Sequence, residues 1–73
     1  MNIKYDQSSD AVYIRLKESK YSESDKISNN IILDFDKKGN VIGIEILDAS
    51  NYLDINELSS MKFEVNKKIS KAS

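Results

Sequence analysis

Two β-rich runs, Ile31-Ile32-Leu33-Asp34-Phe35-Asp36 and Val41-Ile42-Gly43-Ile44-Glu45-Ile46-Leu47, stand on either side of Lys37-Lys38-Gly39-Asn40. Apolar and β-branched runs of this length around a short loop with glycine in its second half specify a hairpin, because glycine supplies the positive φ such loops need. Side chains alternate between the two faces of a strand, so Ile31, Leu33 and Phe35 share one face, as do Ile42, Ile44 and Ile46. Those two sets are expected to meet on the core side of the sheet. Gly43 falls in mid-strand, where a glycine permits a bulge or a close approach.

The same alternation predicts two further strands. Ile3 and Tyr5 alternate with Lys4, and Ala11-Val12-Tyr13-Ile14-Arg15-Leu16 places Val12, Ile14 and Leu16 opposite Tyr13 and Arg15. Between them, Asp6-Gln7-Ser8-Ser9-Asp10 is dense in side chains that bond nearby backbone, the mark of a turn. Residues 17–30 are polar, broken by Tyr21 and Ile27, and read as a long connection. After Ser50 the pattern changes. Asp54 with Glu57 makes a capping box, and Leu53 with Leu58 a hydrophobic staple, so a helix is predicted from about Ile55. Farther on, Leu58, Met61, Val65 and Ile69 repeat at helical spacing, while Met61, Phe63 and Val65 also alternate like a strand.

The expected fold is therefore α+β, mainly β: a four-stranded antiparallel meander (near 2–5, 11–16, 31–36 and 41–48) with a short C-terminal helix. The domain spans 1–60, and 61–73 forms a basic tail in which Lys62, Lys67, Lys68 and Lys71 face one acid, Glu64. The expected core is Ile3, Tyr5, Val12, Ile14, Leu16, Ile31, Leu33, Phe35, Ile42, Ile44, Ile46 and Leu58. Tyr5 and Tyr13 are expected to pack as a cross-strand pair.

With 73 residues, the chain has one domain's worth of core and marginal stability on its own. It holds no cysteine and no histidine, which removes disulfides, thiolate zinc, imidazole ligation and histidine acid–base chemistry. Association with a partner is the remaining route to extra stability. The net charge of −1 lacks the basic surplus that phosphate backbones demand, so nucleic-acid binding is not expected. Met1-Asn2-Ile3-Lys4-Tyr5-Asp6 has no apolar signal core, and the apolar runs are too short to span a bilayer, so no membrane association and a cytoplasmic setting in a prokaryote or its phage are expected.

The carboxylates are the main source of candidate chemistry. Asp34 and Asp36 share a strand face, with Glu45 and Asp48 on the neighbouring strand, a set that could hold a hard cation through oxygen. The competing reading is the solvated face of an antiparallel hairpin. No serine has a histidine to activate it, and no P-loop, EF-hand or dinucleotide fingerprint occurs. Asp10 is expected to cap its turn. No catalytic residue, cofactor or metal ligand is assigned.

Ile3-Lys4-Tyr5-Asp6, Asp10-Ala11-Val12-Tyr13-Ile14-Arg15-Leu16, Ile31-Ile32-Leu33-Asp34-Phe35-Asp36 and Gly39-Asn40-Val41-Ile42-Gly43-Ile44-Glu45-Ile46-Leu47-Asp48-Ala49-Ser50 together resemble the prokaryotic domain of unknown function 2283 family. The resemblance runs from residue 1 to about 55, and Gln7-Ser8 departs from it where the family commonly has proline and then an acid. It implies a β-meander followed by a helix, no established enzymatic activity and, since some members neighbour small toxin genes, an antitoxin-like role. It carries over no catalytic or binding residues.

The leading expectation is a non-catalytic protein–protein interaction module, an antitoxin-like neutraliser or a homodimer. The alternatives are a phage or mobile-element inhibitor of a host defence nuclease and a small-ligand or cation-binding domain. Ile32, Val41, Leu47 and Tyr13 fall on the face away from the core and are the expected interface, since one short helix covers only one face of an open sheet.

Overall fold

The computed structural model describes residues 1–67, so Lys68, Ile69 and Lys71 of the predicted tail lie outside the described residues. Five strands form one antiparallel sheet: β1 (Asn2–Asp6), β2 (Ala11–Arg15), β3 (Tyr21–Lys26), β4 (Ile31–Asp36) and β5 (Val41–Ile46). Their spatial order is β1-β2-β5-β4-β3.

This order corrects the expected meander. A hairpin of β1 and β2 joins a three-stranded meander of β3, β4 and β5 through the β2–β5 pair. The link Leu16–Lys20 must therefore cross from β2 to the far edge, three strand spacings or about 14 Å. Five extended residues reach about 17 Å, so the link is nearly taut. It passes the β4–β5 loop and is fastened there. The Leu16 backbone N–H donates to the Ile42 carbonyl at 2.9 Å, and Ser19 Oγ donates to Asp36 Oδ2 at 3.1 Å.

β3 lies within the segment read as a long connection. All six of its residues are exposed, and its one aromatic, Tyr21, is more than half exposed. An edge strand needs only one neighbour and no buried face, so nothing obliges its sequence to show apolar alternation. A polar, charged edge also discourages stray pairing with other chains. A register shift between Tyr21 and Glu23 adds a bulge.

The predicted helix is also corrected. Residues Ala49–Asn51 and Ile55–Ser60 form two short 3₁₀ segments. Asp54 does cap the second, accepting from the Asn56 N–H at 3.2 Å, with Glu57 in its first turn. Asn56, Ser59 and Ser60 are poor helix formers, and the chain is extended again by Met61, which leaves too little length to sustain an α-helix. Among the described residues no helix is long and apolar enough to cross a membrane.

Full burial is confined to a few side chains. Val12 and Ile42 are each 1 % exposed and Ala49 is 0 %, with Ala11 also buried. The other expected core residues, Ile3, Tyr5, Ile14, Ile31, Leu33, Phe35, Ile44, Ile46 and Leu58, are half-buried, and Leu16 is exposed. The radius of gyration is 15.0 Å, against about 11 Å for a compact domain of this length. The sheet is a single layer with little laid over it.

Candidate interaction surface

The register assigns the paired strand residues to two faces, because residues directly opposite each other share one. Ile3, Ile14, Ile44 and Leu33 form one row across β1, β2, β5 and β4, and Tyr5, Val12, Ile46 and Ile31 form the next. Phe35 extends this face opposite Val41, and Asp25 and Glu23 of β3, paired with Leu33 and Phe35, close its far side. The expected meeting of the two sets holds for Leu33, which pairs with Ile44, and for Ile31, which pairs with Ile46. A register shift after Asp34 sets Phe35 against Val41 and leaves Ile42 as the extra residue of a bulge in β5.

On this face Ile3 and Tyr5 of β1 line a hollow with Ile55, Leu58 and Ser59 of the second 3₁₀ segment, and Val12 on β2 is fully buried. Ile14, Leu33, Phe35 and Ile44, on β2, β4 and β5, are half-buried and form a contiguous apolar floor.

The opposite face is polar and internally bonded. Lys4, Tyr13, Glu45, Ile32 and Lys26 form one row, and Asn2, Arg15, Gly43, Asp34 and Ser24 another. Tyr13 lies flat across β5 and donates to Asp34 Oδ2 on β4 at 2.9 Å. Ser24 Oγ donates to Asp34 Oδ1 at 2.7 Å, and the Tyr21 hydroxyl bonds Ser24 Oγ at 2.8 Å. This chain of hydroxyls and one carboxylate ties β2, β4 and β3 together over β5. It requires Gly43, since a Cβ there would meet the Tyr13 hydroxyl and come within 2.8 Å of its Cζ. Loss of hydration, followed by the hydrogen bond to Asp34, raises the Tyr13 pKa. The Arg15 guanidinium sits 5.6 Å from the Tyr13 ring centroid, a cation–π distance. Tyr5 and Tyr13 are on opposite faces, so the expected cross-strand pair does not form.

The expected interface residues are consequently dispersed. Tyr13 and Ile32 share the polar face, Val41 stands opposite Phe35 on the other, and Leu47 lies past β5, its N–H donating to the Asn30 carbonyl at 2.8 Å.

The acidic residues have structural work. Asp36, expected on the solvated face, is buried and accepts from the Lys38 and Asn40 N–H groups, both at 2.9 Å, and from Asn40 Nδ2 and Ser19 Oγ. These bonds, the Asn40 N–H above all, hold its pKa below the usual carboxylate value. Asp10, in the left-handed region at φ 52°, accepts from the Tyr5 hydroxyl at 2.7 Å and from Ser50 N and Oγ at 3.1 and 2.8 Å. Its pKa is lowered by the same donors, Tyr5 first. The Asp10 carbonyl also takes the Ala49 N–H at 2.9 Å, so this turn clasps the chain leaving β5. Asp6 binds Ser8 and Ser9 within the turn. Among the described residues no group of three or more acidic side chains gathers to hold a metal, which leaves Asp34, Asp36, Glu45 and Asp48 without a common site.

A family model described as a protein of unknown function (DUF2283) matches residues 2–50. That stretch ends at Ser50, the residue fastened to Asp10. An uncharacterized protein of Methanocaldococcus jannaschii is 35 % identical over 75 aligned positions, covering 97 % of this chain. The chain spans 64 % of that relative's length. No solved structure matches.

Proposed function

Because the chain belongs to the DUF2283 family, whose function is unknown, we propose from its own surface that it is a non-catalytic protein–protein interaction module, of the antitoxin-like kind that acts by covering another protein. The observation that carries this reading is the apolar floor of Ile14, Leu33, Phe35 and Ile44, which runs across three adjacent strands and is only half-buried. Contiguous apolar surface of this sort is costly in water and marks a docking site in small proteins. Tyr5, Asp10, Tyr13, Asp34 and Asp36 are engaged in holding turns and strands together, which supports binding over catalysis.

The docking surface on this reading is the Leu33–Ile44 face, and the polar face carrying Tyr13 and Ile32 is the outer one. The test is affinity capture on the natural chain, a Leu33→Lys variant and an Ile32→Lys variant. A specific protein retained by the natural chain and by Ile32→Lys, and lost with Leu33→Lys, supports the proposal. Loss with Ile32→Lys and retention with Leu33→Lys would move the interface to the other face, and identical capture by all three would remove the reading.

A further inference from the structure

The segment that follows the second 3₁₀ turn carries a second unpartnered apolar surface. Met61, Phe63 and Val65 are 60 %, 86 % and 62 % exposed, and they alternate with Lys62 and Glu64, so an extended backbone puts all three on one side. The chain is extended at Met61, with φ −60° and ψ 137°, as it leaves the 3₁₀ turn. These side chains are not seated on the chain's own sheet, although that sheet offers a half-buried floor of matching character.

The charges also match. The floor is bounded on the β3 side by Glu23 and Asp25, whose partners Phe35 and Leu33 belong to it. The tail sequence carries Lys62, Lys67, Lys68 and Lys71 against Glu64 alone. Lys62 is paired with Glu64 at 3.7 Å on the side away from the apolar strip, so the lysines that follow Val65, beginning with Lys67, are the charges available to the acids beside the floor.

We propose that the occupant of the floor is the Met61–Val65 segment of a second copy of this chain. The inference rests on the interaction-module reading and names its partner. Reciprocal exchange in a two-fold dimer covers both floors and both segments at once, whereas a single copy leaves its own floor and its own segment open. Phe63, the largest and most exposed of the three, is the anchor, and the Lys–acid pairs fix the direction in which the segment lies.

The chain has no cysteine, which permits a clean test. A nitroxide is attached to a Glu64→Cys variant, and this unlabelled-nitrogen protein is mixed with ¹⁵N-labelled natural chain, so that broadening reports contact between copies only. At concentrations where sedimentation gives a dimer, the amide signals of Leu33, Ile44 and Asp25 broaden more strongly than those of Gln7 and Ser8 in the β1–β2 turn. Phe63→Ser raises the dimer dissociation constant at least about tenfold, as loss of a buried aromatic anchor does. Folding is not at issue for that variant, because Phe63 touches little in the monomer. A monomer persisting at about 100 μM, where even a weak dimer would be populated, overturns the proposal. So does a dimer without that broadening, or broadening seen only when label and ¹⁵N are on the same chain. If the segment proves free while Leu33→Lys still abolishes capture of another protein, the exchange fails and the interaction reading stands; if capture is also unchanged, both fail.

Discussion

Gly43→Ala tests the packing of the polar face in a single methyl group. The new Cβ meets the Tyr13 hydroxyl and lies within 2.8 Å of Cζ, so the ring must swing off β5. Swinging it breaks the 2.9 Å bond to Asp34 and uncovers the buried Gly43 backbone. A hydrogen bond to a charged group contributes about 1.5–3 kcal/mol, toward the lower end at this half-exposed site, and lost ring packing adds to it. Alanine in place of glycine in a strand returns about 0.5–1 kcal/mol. The net loss is about 1–2 kcal/mol, or roughly 5–15 °C in Tm for a domain of this size. Urea titration of Gly43→Ala, Tyr13→Ala and the double variant closes a cycle. With Tyr13 already removed, Gly43→Ala is neutral or stabilising by about 0.5 kcal/mol, because nothing remains to collide with it. A coupling energy smaller than about 0.5 kcal/mol would show that the ring does not depend on the glycine, and the account of this face would be wrong.

Burial separates two isoleucines on one strand. Ile42→Ala, at a fully buried position, is expected to cost about 2–5 kcal/mol in denaturant titration, and Ile44→Ala, on the open floor, about half as much; equal losses would mean that the floor is covered. Ala49→Leu places a larger side chain where exposure is 0 %, and overpacking there should cost about 1–3 kcal/mol in thermal melts, with little change contradicting the close seating of this segment against Asp10. Asp6, Asp10 and Asp36 have pKa values lowered from 3.8 by the hydroxyl and amide groups donating to them, so the unfolded chain binds more protons just below that pH. Their contribution is present above pH 3.8 and is lost as pH falls through the folded values, and Asp10→Asn should flatten the acid limb of a pH–stability curve measured by circular dichroism.

The hairpin of β4 and β5, the β1–β2 hairpin and the alternation along each strand were legible because alternation and turn chemistry are local, whereas the bulge that turns Val41 onto the face of Phe35 was not. Asp54 likewise marks its cap from four residues of sequence. The bonds of Asp36 and Asp10 were less legible. Nothing in their own neighbourhood says that Asp36 will hold Ser19 across the link, or that Asp10 will reach Ser50 forty residues away. β3 was invisible for another reason. Its residues bury nothing, and it is a strand because β4 offers a free edge and the taut link delivers it there. Strand order was equally beyond reach. The apolar pattern is satisfied by β2 beside β4 or beside β5, and only the pairing itself, with Ile14 against Ile44, decides.

The sequence by itself determined that the chain is a β protein without thiol or imidazole chemistry, and it determined the two-residue alternation along each strand, since side-chain period and residue type need no partner to be defined; the bulge at Ile42 that brings Val41 onto the face of Phe35 came only with the pairing. Tertiary structure decided which face stays open. Apolar residues at strand spacing announce a surface to be buried, and they do not say by what. The Asp54-capped segment closes after six residues over β1, and the floor of Ile14, Leu33, Phe35 and Ile44 is left only half-buried, because burial depends on what the rest of the chain lays across the sheet.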